Sequence, residues 1–142
     1  MKTTTLAVLS ISALVVALAV PMLAQTMRLT ADIPFEFMVG GKTLPAGDYS
    51  INSEPGLVRL VSVAEHASAL SIARSAWVKG TDPAAATKLV FHRYGDRYFL
   101  SGVLNGYTRA GMELPESRDE REMTRTASNA APETVTLLAS LR

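Results

Sequence analysis

An all-β fold, a β-sandwich or small β-barrel of about seven or eight short strands with one short surface helix near residues 118–126, is what this sequence predicts. Three observations lead there. Apolar and polar residues alternate with period two through several runs, the pattern of half-buried strands. Turn signals built from Gly, Pro, Asn and Asp recur about every 8 to 12 residues. Finally, Gly95-Asp96 separates two strand-like runs by the two residues of a tight hairpin.

The elements follow in order. Met27, Leu29, Ala31, Ile33, Phe35, Phe37 and Val39 share one parity, with Arg28, Thr30, Asp32 and Glu36 on the other. Pro34 cannot donate to a ladder, so this strand lies at a sheet edge or bends there into two pieces, and Gly40-Gly41 ends it. Lys42 to Gly47, with Leu44-Pro45-Ala46-Gly47 at its end, reads as a turn into a short strand with Tyr49 and Ile51 on one face. Glu54-Pro55-Gly56 turns the chain into a strand over Leu57 to Val63. A weaker strand covers Ala69 to Val78, with Leu70, Ile72 and Ala76 facing in, and Lys79 to Ala86 is an exposed loop.

Lys88 to Tyr94 and Arg97 to Val103 form the hairpin, and glycine first in the loop suits a type II′ turn. That turn pairs Tyr94 with Arg97, Arg93 with Tyr98, His92 with Phe99, Phe91 with Leu100 and Val90 with Ser101. Leu89, Phe91, Leu100 and Gly102 then share the core face, with Val90, His92, Tyr94, Arg97 and Phe99 on the other. Ser117-Arg118-Asp119-Glu120 matches a capping box opening a helix through Thr126 whose only strongly apolar residue is Met123. Glu133 to Leu141 returns to strand, with Val135, Leu137, Ala139 and Leu141 on one parity. The strands at the two ends of the domain are placed to pair and close a sheet.

Residues 1–24 read as a signal peptide ahead of a single β-rich domain over 25–142. Lys2 supplies the positive start, Leu6 to Val20 the apolar stretch, Pro21 the break, and Ala24 the small residue at the cut. Ser10, Ser12, Pro21 and the lack of a following Lys/Arg cluster argue against a retained anchor. The expected location is exported, periplasmic or extracellular, with no membrane span after cleavage. Losing Lys2 leaves 13 basic against 13 acidic residues. Such a neutral chain lacks the basic footprint of phosphate binding, which makes nucleic acid and anionic membrane surfaces poor partners. The absence of cysteine excludes disulfides, thiolate metal sites and cysteine nucleophiles together.

Four runs of this chain resemble an uncharacterised family of small exported β-rich proteins of acidobacterial type. They are Ile33-Pro34-Phe35-Glu36-Phe37, Gly40 to Tyr49, Phe91 to Leu100 and Glu113 to Arg118. The resemblance spans almost the whole chain and implies an exported, single-domain, β-rich protein. It brings no activity with it. Leu104 stands where many members carry an aromatic residue, so no stacking role is implied there.

Chemistry concentrates at His92, Tyr94, Asp96 and Arg97, because histidine near a carboxylate is the raw material of acid and base catalysis. The structural reading of the same residues has Asp96 capping the turn, His92 facing Phe99 and Arg93 lying over Tyr98. His92, Tyr94, Arg97 and Phe99 are therefore candidate ligand-binding residues, with none assigned to catalysis, to a cofactor or to a metal. His66 is too isolated for a metal site. No Gly-x-Ser-x-Gly elbow, phosphate loop or dinucleotide fingerprint appears. Glu113, Glu116, Glu120 and Glu122 interleave with Arg118, Arg121 and Arg125 as a solvated, mutually neutralising surface.

Three functions fit. The first is a non-catalytic binding or structural module of the cell envelope or extracellular matrix. It would present an aromatic face drawn from Tyr49, Trp77, Tyr94, Tyr98, Phe99 and Tyr107 to a partner. The second is a self-associating, strand-donating fibre or adhesion protein, motivated by the alternating run Met27 to Val39. The third is a small hydrolase or lyase centred on His92, which a concave pocket holding His92 beside a carboxylate would favour.

Overall fold

Pro34 breaks the longest alternating run, and the two halves enter different sheets. The computed structural model describes residues 26–77, 86–106, 110–126 and 131–141. The leader reading of residues 1–24, most of the loop expected at Lys79 to Ala86, and Tyr107 lie outside the described residues. The elements are β1 Met27–Ile33, β2 Phe37–Val39, β3 Lys42–Leu44, β4 Gly47–Glu54, β5 Leu57–Ser62, β6 Ser68–Ile72, β7 Arg74–Trp77, β8 Lys88–Tyr94, β9 Arg97–Leu104, β10 Ala110–Glu113, α1 Arg118–Thr126, β11 Glu133–Leu138 and β12 Ser140–Leu141.

Two open sheets result. The first has the order β12-β1-β4-β5-β6, and the second β11-β8-β9-β10-β7, with β2 joined parallel to the first half of β9 and β3 paired to β2. The architecture is an all-β sandwich with one short helix, and neither sheet closes into a barrel. The twelve strands exceed the seven or eight expected because runs continuous in sequence are cut where the chain changes sheets. Pro34 to Glu36 carries it from β1 to β2, Ala73 divides β6 from β7, and Ala139 divides β11 from β12.

Parity survives these crossings. Leu29, Ala31 and Ile33 of one sheet meet Phe37, Val39, Leu89, Phe91, Leu100 and Val103 of the other in one core, joined by Tyr49, Ile51, Val58 and Leu60. Aromatic rings pack edge to face through this core: Phe91 with Phe35 of the crossing segment (centroids 5.2 Å) and with Phe37 of its own sheet (5.6 Å), and Phe37 across the layers with Tyr49 (5.2 Å). The Tyr49 hydroxyl donates to the Pro45 carbonyl at 2.7 Å. Burial, with the Glu65 charge adding, holds the Tyr49 phenol above its ordinary value of 10.0. Because the unfolded phenol releases its proton first, this contribution to stability is complete below that ordinary value and is lost as pH rises through the folded one. Thermal melts between roughly pH 9 and 12 should show the loss, and Tyr49→Phe should flatten it.

The expected inward parity of β6 is reversed. Leu70 and Ile72 point outward, 51% and 71% exposed, while Ala69, Ser71 and Ala73 are buried. The pairing with β5 sets this, since Ala69 lies opposite Leu60 and Ser71 opposite Val58, both fully buried, and the β2–β3 turn approaches the same strand closely. A side-chain carbon at Gly40 would lie 2.9 Å from the Leu70 carbonyl oxygen and 3.6 Å from Ser71 Cβ, so only small residues fit beneath. The terminal strands pair only at Leu29–Leu141 and Thr30–Ser140, because β11 turns to β8 instead. β1 is flanked by β4 along its whole length and by β12 at those two positions.

Candidate functional site

The hairpin forms as its turn dictates. Gly95 adopts φ 61° with Asp96 outside the positive-φ region, as a type II′ turn needs, and the pairs Tyr94–Arg97, Arg93–Tyr98, His92–Phe99 and Phe91–Leu100 are all present. Beyond them the register slips. Val90 faces Gly102 rather than Ser101, and Leu89 faces Val103, so Ser101 is an extra, bulged residue of β9. The expected core position of Gly102 passes to Val103, which is fully buried, while Gly102 lies on the outer face beside Val90. The bulge is fastened by Ser101 Oγ donating to the Val90 carbonyl (3.1 Å) and by the Leu114 amide donating to the Ser101 carbonyl (2.8 Å).

That second bond returns the chain from β10 across the outer face of the second sheet, where α1 docks. Ser117 caps the helix, its Oγ accepting from the Glu120 amide at 3.1 Å. Met123 packs against Met38, Tyr94 and Phe99, a second small core that explains why Met38 is buried on the face of β2 opposite Phe37 and Val39. Thr124 Oγ1 lies 3.0 Å from the Tyr94 hydroxyl and 3.1 Å from the Glu120 carbonyl oxygen, and a guanidinium nitrogen of Arg97 is 3.9 Å from Met123 Sδ.

Glu120 completes the docking. Expected on a solvated surface, it is 3% exposed, and its Oε1 lies 2.7 Å from Nδ1 of His92. The carboxylate that meets His92 is therefore this one, 28 positions away in sequence, and not Asp96, which is exposed in the turn. The contact holds the imidazole by its Nδ1 edge. The helix stands over the turn end of the hairpin and leaves the rest of the sheet's outer face open.

There a cleft of about 580 Å³ opens with His92 in its wall. Its shape follows from side-chain size. Ser101, Gly102 and Ala76 leave the sheet surface low, and Leu104, Leu114 and Pro115 rise around it. Arg74 and Arg121 on one side of the charge balance are matched by Glu113 and Glu116, and neither guanidinium forms an ion pair among the described residues. The hollow is thus of mixed apolar and charge-balanced lining, with the His92 imidazole held in its wall.

The four candidate residues divide. His92 lines the cleft; Phe99 (1% exposed) and Tyr94 (7%) lie beneath the helix; Arg97 is exposed beside Met123. Tyr49 is core, and Tyr98 is stacked on Phe35 (3.8 Å between centroids) with the Arg93 guanidinium 5.5 Å from its ring, so these aromatic residues serve packing. Sequence reasoning missed Glu120, Ser101, Arg74 and Arg121. The one available signal was the capping-box glutamate, read for its helix and as part of a solvated surface. Among the described residues no cluster of three or more His, Asp or Glu is arranged to hold a metal, and no helix is long and apolar enough to cross a membrane. No family model, curated protein or solved structure matches this chain.

Proposed function

We propose that this protein is an exported, non-catalytic binding module of the cell envelope that takes a small amphipathic ligand of no net charge into the cleft beside His92. The leader-like pattern of residues 1–24 supports export. The observation that carries the binding reading is the cleft itself, roofed at one end by a helix and floored by a bulged strand with small side chains. Strand donation draws less support, since β1 lies between β4 and β12.

A second reading, a hydrolase or lyase centred on His92, is favoured by one observation. The 2.7 Å contact between His92 and Glu120 is the base-and-orienting-group pair of acid–base catalysis, set in a concave wall. Against it, the nearby Ser101 hydroxyl donates to the Val90 carbonyl, so the pair has no prepared nucleophile beside it.

The test is native mass spectrometry of the protein isolated from its own envelope, beside a Ser101→Phe variant that fills the hollow. The expected parent spectrum shows the mass left by a cut after Ala24 and a non-covalent small-molecule adduct that the variant lacks. An adduct equally present in the variant would place the ligand elsewhere.

A further inference from the structure

The other sheet carries an unrelated surface at its β5–β6 margin. The pairs Arg59–Leu70 and Val61–Ser68 set these residues on the outer face. Leu70 (51% exposed), Ile72 (71%), Val61 (38%) and Val63 (68%) make this the main exposed apolar ground among the described residues. A groove of about 630 Å³ runs beside it, and its charged or titratable lining is Lys42, Arg59 and His66, with no carboxylate. The surface is built and held. Lys42 Nζ donates to the Ser68 carbonyl at 2.7 Å, the Ser62 amide donates to the Ala67 carbonyl at 2.8 Å, and His66 sits at φ 55° between them. Glu65 has its amide bound to Ser62 Oγ and does not line the groove.

We propose that this margin rests on an anionic lipid surface, with Leu70, Ile72 and Val61 inserted at headgroup level and Lys42, Arg59 and His66 against the phosphates. Exposed apolar side chains beside a groove whose charged lining is basic are the composition such a surface selects. A protein partner of standard size takes roughly 20 residues a side, more than this margin offers. The neutral balance of the whole chain pointed away from anionic membranes. The groove departs from that balance, since its charged lining is basic; the nearby acids Asp32 and Asp48 lie on β1 and β4, the Asp48 carbonyl accepting from the Val63 amide at 2.9 Å beyond the groove.

The test is co-sedimentation of the protein with vesicles of phosphatidylcholine, or of phosphatidylcholine with roughly a third phosphatidylglycerol. The parent should favour the anionic vesicles by at least ~10-fold, an advantage that falls with added salt. The pair Lys42→Gln, Arg59→Gln should abolish the preference, and Leu70→Ser, Ile72→Ser, at exposed positions that leave the fold intact, should lower binding to the anionic vesicles by about the same factor. All variants share the parent's N-terminus, so any contribution of Leu6 to Val20 cancels. An equal preference in parent and variants, or none in the parent, would overturn the proposal. So would a lipid-independent dimer that dissociates in the Leu70→Ser, Ile72→Ser variant, which would assign the margin to a second copy of the chain.

Discussion

Replacing Phe91 with alanine is expected to cost about 4 kcal/mol, much of the ~5–15 kcal/mol by which a domain of this size is stable. Phe91 is fully buried and links, edge to face, Phe35 of the crossing segment with Phe37, the ring that reaches Tyr49 of the other sheet. Its removal deletes two aromatic contacts and opens a cavity walled by two β-sheets, which relax less readily than a loop would. Phe35, already half-buried at the crossing between β1 and β2, would lose its edge partner and keep only its stack on Tyr98. Denaturant unfolding should show a lower midpoint with an unchanged slope. A loss below roughly 1 kcal/mol would mean that the sheets are not held together through this ring.

The second large effect is an asymmetry. His92→Ala leaves the Glu120 carboxylate, whose side chain is 4% exposed, without its partner, whereas Glu120→Ala leaves an imidazole, 29% exposed, that water can reach. His92→Ala should therefore cost about 2–3 kcal/mol and Glu120→Ala about 1, and the double variant should be more stable than His92→Ala alone. This exceeds the modest effect that His92 as a simple cross-strand neighbour of Phe99 would have. Hydrogen exchange should locate the loss in α1, whose amides would open ahead of the sandwich. Additive costs, or an opening spread evenly through both sheets, would contradict a latch between helix and sheet.

Local pattern carried much of the fold. Side-chain parity from Met27 to Val39, the II′ turn at Gly95-Asp96 and the capped helix at 118–126 are properties of neighbouring residues, and all are present. What the sequence hid depends on contacts between distant segments. The bulge at Ser101 exists because Leu114, returning from β10, binds its carbonyl, and a period-two reading has no place for an extra residue. Glu120 looks like one solvated glutamate among several until the helix is laid on β8. The outward turn of Leu70 and Ile72 follows from the register with β5, which sets Ala69 and Ser71 opposite the buried Leu60 and Val58. The candidate site was legible to the extent of His92, while its wall, floor and partner carboxylate all come from tertiary structure.

The central claim is that ligand enters between β8, β9 and the segment 114–121. It is tested most directly by amide NMR of the folded protein titrated with a panel of uncharged and zwitterionic small molecules, hexoses and dipeptides among them. The account predicts shifts that saturate and cluster at Val90, His92, Ser101, Gly102 and Arg121, and that vanish in Ser101→Phe while the rest of its spectrum is unchanged. Shifts clustering instead at Lys42, Arg59 and Leu70, or persisting in Ser101→Phe, would contradict it.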